Sequence, residues 1–201
     1  MDPVTQALLD TLATKGAPQI NKLSVADARR MLAGVQAGDA QQIAVDIEDR
    51  MMPGGPHGQI SLRIVRPMNT TTNPAVIYFH GGGWVLGDAD THDRLIQEIS
   101  IGSNATLIFV KFSGSPEVQY PTANEEAFSA TQWVAAHGHE IGIDPARRAV
   151  AGDSAGGIAQ ANRALRLALT RHHYNRSYTR MCSLVLINHR EYSLEKTANI
   201  F

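Results

Sequence analysis

Gly152-Asp153-Ser154-Ala155-Gly156-Gly157 narrows the folds open to this chain more than any other stretch of its 201 residues. The short apolar run Ala149-Val150-Ala151 precedes it. Ile158, Ala161, Leu165, Ala168 and Leu169 follow at helical spacing, with Arg163 and Arg166 on the opposite side. A serine with glycine two positions away on each side, set between a strand and a helix, reads as a nucleophile elbow. The backbone at such a serine is strained, and the neighbouring strand leaves room only for small flanking residues. In that arrangement the Ala155 N–H points at a developing oxyanion, and the helix N-terminus adds partial positive charge. The competing reading is a glycine-rich helix start that binds phosphate.

A second motif, His80-Gly81-Gly82-Gly83-Trp84, follows the apolar run Ala75 to Phe79. Consecutive glycines let a backbone turn its N–H groups inward with no side chain in the way, and those of Gly81 and Gly82 are the expected partners of the oxyanion. A nucleotide-phosphate loop would call for a lysine followed by serine or threonine, which this motif does not have. His80 reads as structural rather than as a base, because it sits in the loop it shapes.

From Ala75 onward, continuous apolar runs alternate with helical stretches, the pattern of a parallel sheet buried on both faces. Ala75 to Phe79, Thr106 to Phe112 and Ala149 to Ala151 are expected strands, with Leu184 to Ile187 as one more. Glu125 to His137 is an expected helix with Ala127, Phe128, Thr131 and Val134 inward. Ahead of this core, alternation in Ile43, Val45, Ile47 and in Ile60, Leu62, Ile64, around a Pro/Gly-rich stretch, predicts an antiparallel pair. Two amphipathic helices open the chain. One runs from Asp2-Pro3 through Val4, Leu8 and Leu12 to Gly16; the other starts at Ser24, with Asp27 resembling a capping box, and passes Ala28, Met31, Leu32 and Val35 toward Gly38. The expected organisation is an N-terminal helical segment over residues 1–40 and an α/β core over 41–201.

Together these features resemble the hormone-sensitive lipase family of α/β-hydrolases, the bacterial type IV esterases. The matching stretches are Ile77 to Asp88, Thr91-His92-Asp93, Pro116-Glu117, Tyr120-Pro121-Thr122, Gly142-Ile143-Asp144-Pro145 and Val150 to Gly157. The resemblance implies an α/β-hydrolase fold, with a mostly parallel sheet, flanking helices and an N-terminal helical cap over the site. It also implies hydrolysis of a small-molecule carboxylic ester on Ser154, with Gly81, Gly82 and Ala155 as oxyanion hole, and no cofactor. Two departures stand out. Where the family has Tyr-Arg-Leu-Ala-Pro-Glu, this chain has Phe112-Ser113-Gly114-Ser115-Pro116-Glu117. The family's triad acid and histidine lie on later strands, past Phe201, so the expected fold lacks its last strands and neither residue is carried over.

After Ser154 the histidines are His172, His173 and His189, and the side-chain carboxylates are Glu191 and Glu195. A helix rising about 1.5 Å per residue puts His172 roughly 25 Å from the serine. His189, after a parallel strand at Leu184 to Ile187, would emerge at the same sheet edge as Ser154, which makes it the candidate substitute base, with Glu191 nearby. An exposed loop histidine is the alternative. All 17 glycines and all 9 prolines lie at or before Gly157, whereas average usage would put about five in the remainder. That end is either a long helix plus a strand or a diverged tail.

The expected function is therefore a serine carboxylesterase-type hydrolase of short acyl esters, weak or inactive in this form. A non-catalytic ligand-binding pseudoenzyme and a fragment of a split or frameshifted esterase are the alternatives. The net charge of −1 gives no nucleic-acid footprint, and no apolar run is long enough for a membrane partner. Met1 to Gly16 lacks the regions of a signal peptide and Cys182 has no partner for a disulfide, so a cytoplasmic location is expected. Asp88, Asp90, His92 and Asp93 crowd like metal ligands but match no standard spacing, so no metal is expected. An exposed Leu184 to Ile187 edge would invite either pairing into a homo-oligomer or aggregation.

Overall fold

The computed structural model describes residues 18–37, 43–68 and 73–157, together with residues 3, 6, 7, 10 and 11. Most of the first expected helix lies outside the described residues. So do the helix beyond Gly157, the Leu184 to Ile187 strand, His172, His173, Cys182, His189, Glu191 and Glu195.

The sheet is built on the apolar runs. β1 (Val45–Pro53) and β2 (Gln59–Pro67) pair antiparallel across a turn closed by Gly54 N–H to Gly58 O at 3.0 Å. Their register sets Asp49 opposite Arg63, and the pair closes at 3.0 Å. β3 (Asn73–Phe79), β4 (Thr106–Lys111) and β5 (Ile143–Gly152) are mutually parallel, with β3 in the middle. β2 joins β4 antiparallel, which gives the order β1-β2-β4-β3-β5. The result is a mixed sheet with a parallel centre.

All of β3 is buried, because helices cover both of its faces. Ala75, Ile77 and Phe79 point to one side, where Ile108, Val110 and Val150 join them against Ala127, Ala130, Trp133 and Val134 of the helix Thr122–His137. Val76 and Tyr78 point to the other, where Leu107, Phe109 and Ala151 meet Ile96 of the helix Asp93–Ser103. Each fully buried Phe or Ile contributes ~1.5–3 kcal/mol, so these two layers hold the centre of the sheet rigid. We call the helices α1 (Val25–Gln36), α2 (Asp93–Ser103) and α3 (Thr122–His137). α1 begins where the capping reading put it, with Ser24 Oγ accepting from Asp27 N–H at 3.1 Å. Among the described residues no helix is long and apolar enough to cross a membrane.

Candidate active site

β5 carries the chain to the C-terminal edge of the parallel strands and stops at Gly152. Two residues later Ser154 takes a left-handed backbone, φ 46°, and Ala155 to Gly157 turn helical. The N–H groups of Gly156 and Gly157 close the turn on Asp153 O at 2.8 and 3.3 Å. A left-handed non-glycine residue costs roughly 1–2 kcal/mol, so packing must hold it there. A Cβ on Gly156 would stand 1.9 Å from Phe79 O, and one on Gly152 would stand 2.6 Å from the same oxygen. The turn is thus pressed onto the end of β3. Ser154 stands exposed beside the loop that starts at His80.

That loop folds back on itself because three successive residues adopt positive φ: Gly82 at 116°, Gly83 at 63° and Trp84 at 66°. Leu86 N–H closes it on Gly82 O at 2.9 Å, so closely that a Cβ on Gly82 would sit 2.0 Å from Leu86 O. Asp153 ties the loop to the serine turn. Its Oδ1 accepts from Gly81 N–H and from Tyr78 Oη, each at 2.8 Å. Burial, and then the Asp153 charge, pushes the Tyr78 phenol well above its ordinary range, so it remains a donor.

This geometry bears on the three expected oxyanion donors. The Gly81 N–H is already committed to Asp153 and seats the loop. Among the described residues the N–H groups of Gly82, Gly83 and Ala155 have no acceptor. His80 is 5% exposed and stacks on Phe112 and Phe109 at 4.4 and 5.1 Å between ring centres. Its Nδ1 donates to Gly81 O at 2.6 Å, and burial holds its pKa below the usual histidine range. It is a neutral spacer under the loop. The acidic cluster has local partners: Asp88 Oδ1 accepts from the N–H groups of Asp90 and Thr91, Asp90 pairs with Arg63, and Asp93 accepts from Gln97. His92 Nδ1 lies 3.0 Å from Asp88 O.

Asp153→Ala would leave the buried Tyr78 hydroxyl and the Gly81 amide without their acceptor, at ~2 kcal/mol. Adding Tyr78→Phe removes the stranded hydroxyl and is expected to recover about half of that loss. A double-mutant cycle by urea unfolding measures it; strict additivity would show that the two groups are uncoupled.

A family model for the α/β-hydrolase fold matches residues 76–189, more than half of the chain. The carboxylic ester hydrolase LipN of Mycobacterium tuberculosis is 37% identical over 80% of this chain and 43% of its own length. This chain is an α/β hydrolase of the hormone-sensitive lipase family. The hydrolase is also 34% identical to an acetyl esterase of Salmonella paratyphi B, over 51% of this chain and 32% of the relative. A thermostable esterase from Pseudomonas putida superposes with a TM-score of 0.80 at 42% identity, covering 85% of the hydrolase and 54% of that structure. The hydrolase spans about half or less of the length of these relatives.

The motifs mark Ser154 and its neighbours, but not the residues that hold them. Asp153 lies inside a motif, yet nothing local says which amide it accepts. Glu126, 2% exposed, accepts from Ser113 N–H at 2.6 Å and Ser113 Oγ at 2.9 Å, and fixes the loop after β4. That loop returns to the glycine loop through Ser115 N–H to Trp84 O at 2.7 Å.

Proposed function

We propose that this hydrolase acts on short acyl esters through an acyl-enzyme on Ser154. The observation that carries this reading is the left-handed Ser154, held exposed at a glycine-walled turn beside a loop whose Gly82 and Gly83 amides have no acceptor among the described residues. Ser154 Oγ attacks the ester carbonyl, and the oxyanion that forms is met by the N–H groups of Gly82 and Ala155, with Gly83 beside them. The alcohol leaves with a proton, and water then releases the acid from the serine. Gly81 takes a different part from the one first expected, fixing the loop through Asp153. The preference for a short acyl group is supported by the likeness to an acetyl esterase.

The base that takes the serine proton is not His80, whose Nδ1–H is committed to Gly81 O and whose ring is enclosed by aromatics. We assign it to His189, with Glu191 as its companion, or to a histidine outside these 201 residues. The test is covalent labelling by a fluorophosphonate together with hydrolysis of p-nitrophenyl acetate. Labelling is expected on the peptide holding Ser154 and is expected to vanish in Ser154→Ala. Equal hydrolysis by the two proteins would remove Ser154 from the reaction. Ligand binding that survives Ser154→Ala, with no labelling of wild type, would make the chain a non-catalytic binder instead.

A further inference from the structure

α1 is tied by one side chain to the loops that follow β3 and β4. Of its 12 residues only Ala28 is fully buried among those described, and Val35 is 45% exposed. Val25, Met31 and Leu32 are half-buried beside Ala28, so apolar contact supplies part of the attachment. Among the described residues the hydrogen-bonded attachment runs through Arg29. Its Nε donates to Val85 O at 2.8 Å, one Nη donates to Ser115 O at 2.9 Å, and the two Nη groups grip Glu117 at 2.7 and 2.8 Å. Four of the five guanidinium N–H groups are used, on three partners from two different loops.

Each of those partners leads toward the site. Val85 lies in the turn that Gly82 O closes, one residue after the left-handed Trp84. Ser115, whose carbonyl Arg29 holds, donates its own N–H to Trp84 O at 2.7 Å. Gly114 completes the junction, since a Cβ there would come within 3.1 Å of Trp84 O and 3.6 Å of the Arg29 guanidinium. The ion pair alone does not explain the arrangement, because Arg29 and Glu117 are 37% and 59% exposed, and such pairs contribute little. The fork geometry and the two carbonyls do. Glu117, whose carboxyl the guanidinium holds down at about 2, stays ionised at any working pH.

We infer that Arg29 is a positioning residue that couples the docking of the N-terminal helix to the shape of the oxyanion loop. When α1 is seated, Arg29 holds Val85 and Ser115 at fixed separation, and the Gly82 to Leu86 turn keeps its amides toward Ser154. When α1 leaves, the far end of that turn is released. The consequence for Ser154 rests on the hydrolase reading above; the coupling itself does not.

Amide hydrogen exchange on the full chain tests the coupling. In Arg29→Ala, exchange is expected to quicken about tenfold in α1 and also at Val85 and Leu86, whose N–H groups close on Gly82 O. Arg29→Lys is expected to restore less than half of the protection, since one ammonium cannot bridge three acceptors; it also carries the comparison if the alanine variant does not fold. Quickening confined to α1 in either variant would overturn the proposal. In the second arm, the rate constant for fluorophosphonate labelling of Ser154 is expected to fall about tenfold, with the half-saturating concentration within twofold of wild type. An unchanged rate constant would remove the link to Ser154. Failure of wild type to label would sink the hydrolase reading, and the exchange result would still decide the coupling.

Discussion

Gly156→Ala is expected to cost the fold ~3 kcal/mol or more and to abolish covalent labelling of Ser154. The added methyl would stand 1.9 Å from Phe79 O, 2.5 Å from its carbonyl carbon and 2.8 Å from His80 O. All three atoms are backbone, at the end of the fully buried central strand, so no rotamer change relieves the contact. Overpacking a core typically costs ~1–3 kcal/mol, and that range includes sites where a side chain can yield. Here the serine turn itself must lift off β3, which pulls Asp153 away from Gly81 and Tyr78 and so loses a second set of contacts. Gly83→Ala serves as the contrast. Its Cβ meets nothing within 4 Å, and the cost comes from φ 63° alone, at roughly 1 kcal/mol. Urea unfolding of the two variants measures the difference; equal losses would mean that the elbow is not pressed on the strand.

The parts of this structure that could be read from sequence are those whose signal is local. β3 and β4 announce themselves as unbroken apolar runs, and the β1–β2 pair by alternation around Gly54 to Gly58. α2 has no clear sequence signal, for a physical reason. Its inward face carries Gln97 and Ser100 beside Ile96, while Leu95 and Ile101 lie 42% and 44% exposed, so the helical period of apolar residues is broken. α3 starts at Thr122 rather than Glu125, and Ala127, Thr131 and Val134 face inward as expected. Glu126 and Trp133 are buried, whereas Phe128 is half-buried. Ser113 supplies the hydrogen bonds that let a carboxylate stand there.

The site divides along the same line. His80 to Trp84 and Gly152 to Gly157 are each contiguous, so spacing alone exposed them. The contacts that shape them join residues far apart: Gly81 to Asp153 across 72 positions and Arg29 to Val85 across 56. No periodicity encodes such a pair. This is why the sequence offers Gly81 as an oxyanion donor on the same footing as Gly82. In the chain it is merely the first of three glycines, and only the fold brings a carboxylate to its amide.

Ser154→Gly is expected to make the protein more stable while removing its labelling and ester turnover. At φ 46° the serine bears roughly 1–2 kcal/mol of backbone strain that glycine does not. Glycine gives back ~0.4–1 kcal/mol through the greater freedom of its unfolded chain, which leaves a net gain of about 0.5–1 kcal/mol. In a chain of this size that raises the melting temperature by ~1–4 °C. Ser154→Ala removes the same hydroxyl but keeps a Cβ, and therefore the strain, so its stability should stay within ~0.5 kcal/mol of wild type. Turnover should fall by at least ~10³-fold in both, because the oxyanion amides remain but no group can carry the acyl chain. The two variants separate two claims. Equal stability of the glycine and alanine forms would show that the left-handed turn is unstrained, whereas surviving hydrolysis in either would show that Ser154 is not the nucleophile. If both expectations hold, the strain at Ser154 is present for the sake of the hydroxyl it exposes. Such a cost persists only where the surrounding packing enforces it, and at this turn the enforcing contacts are those of Gly152 and Gly156 on Phe79.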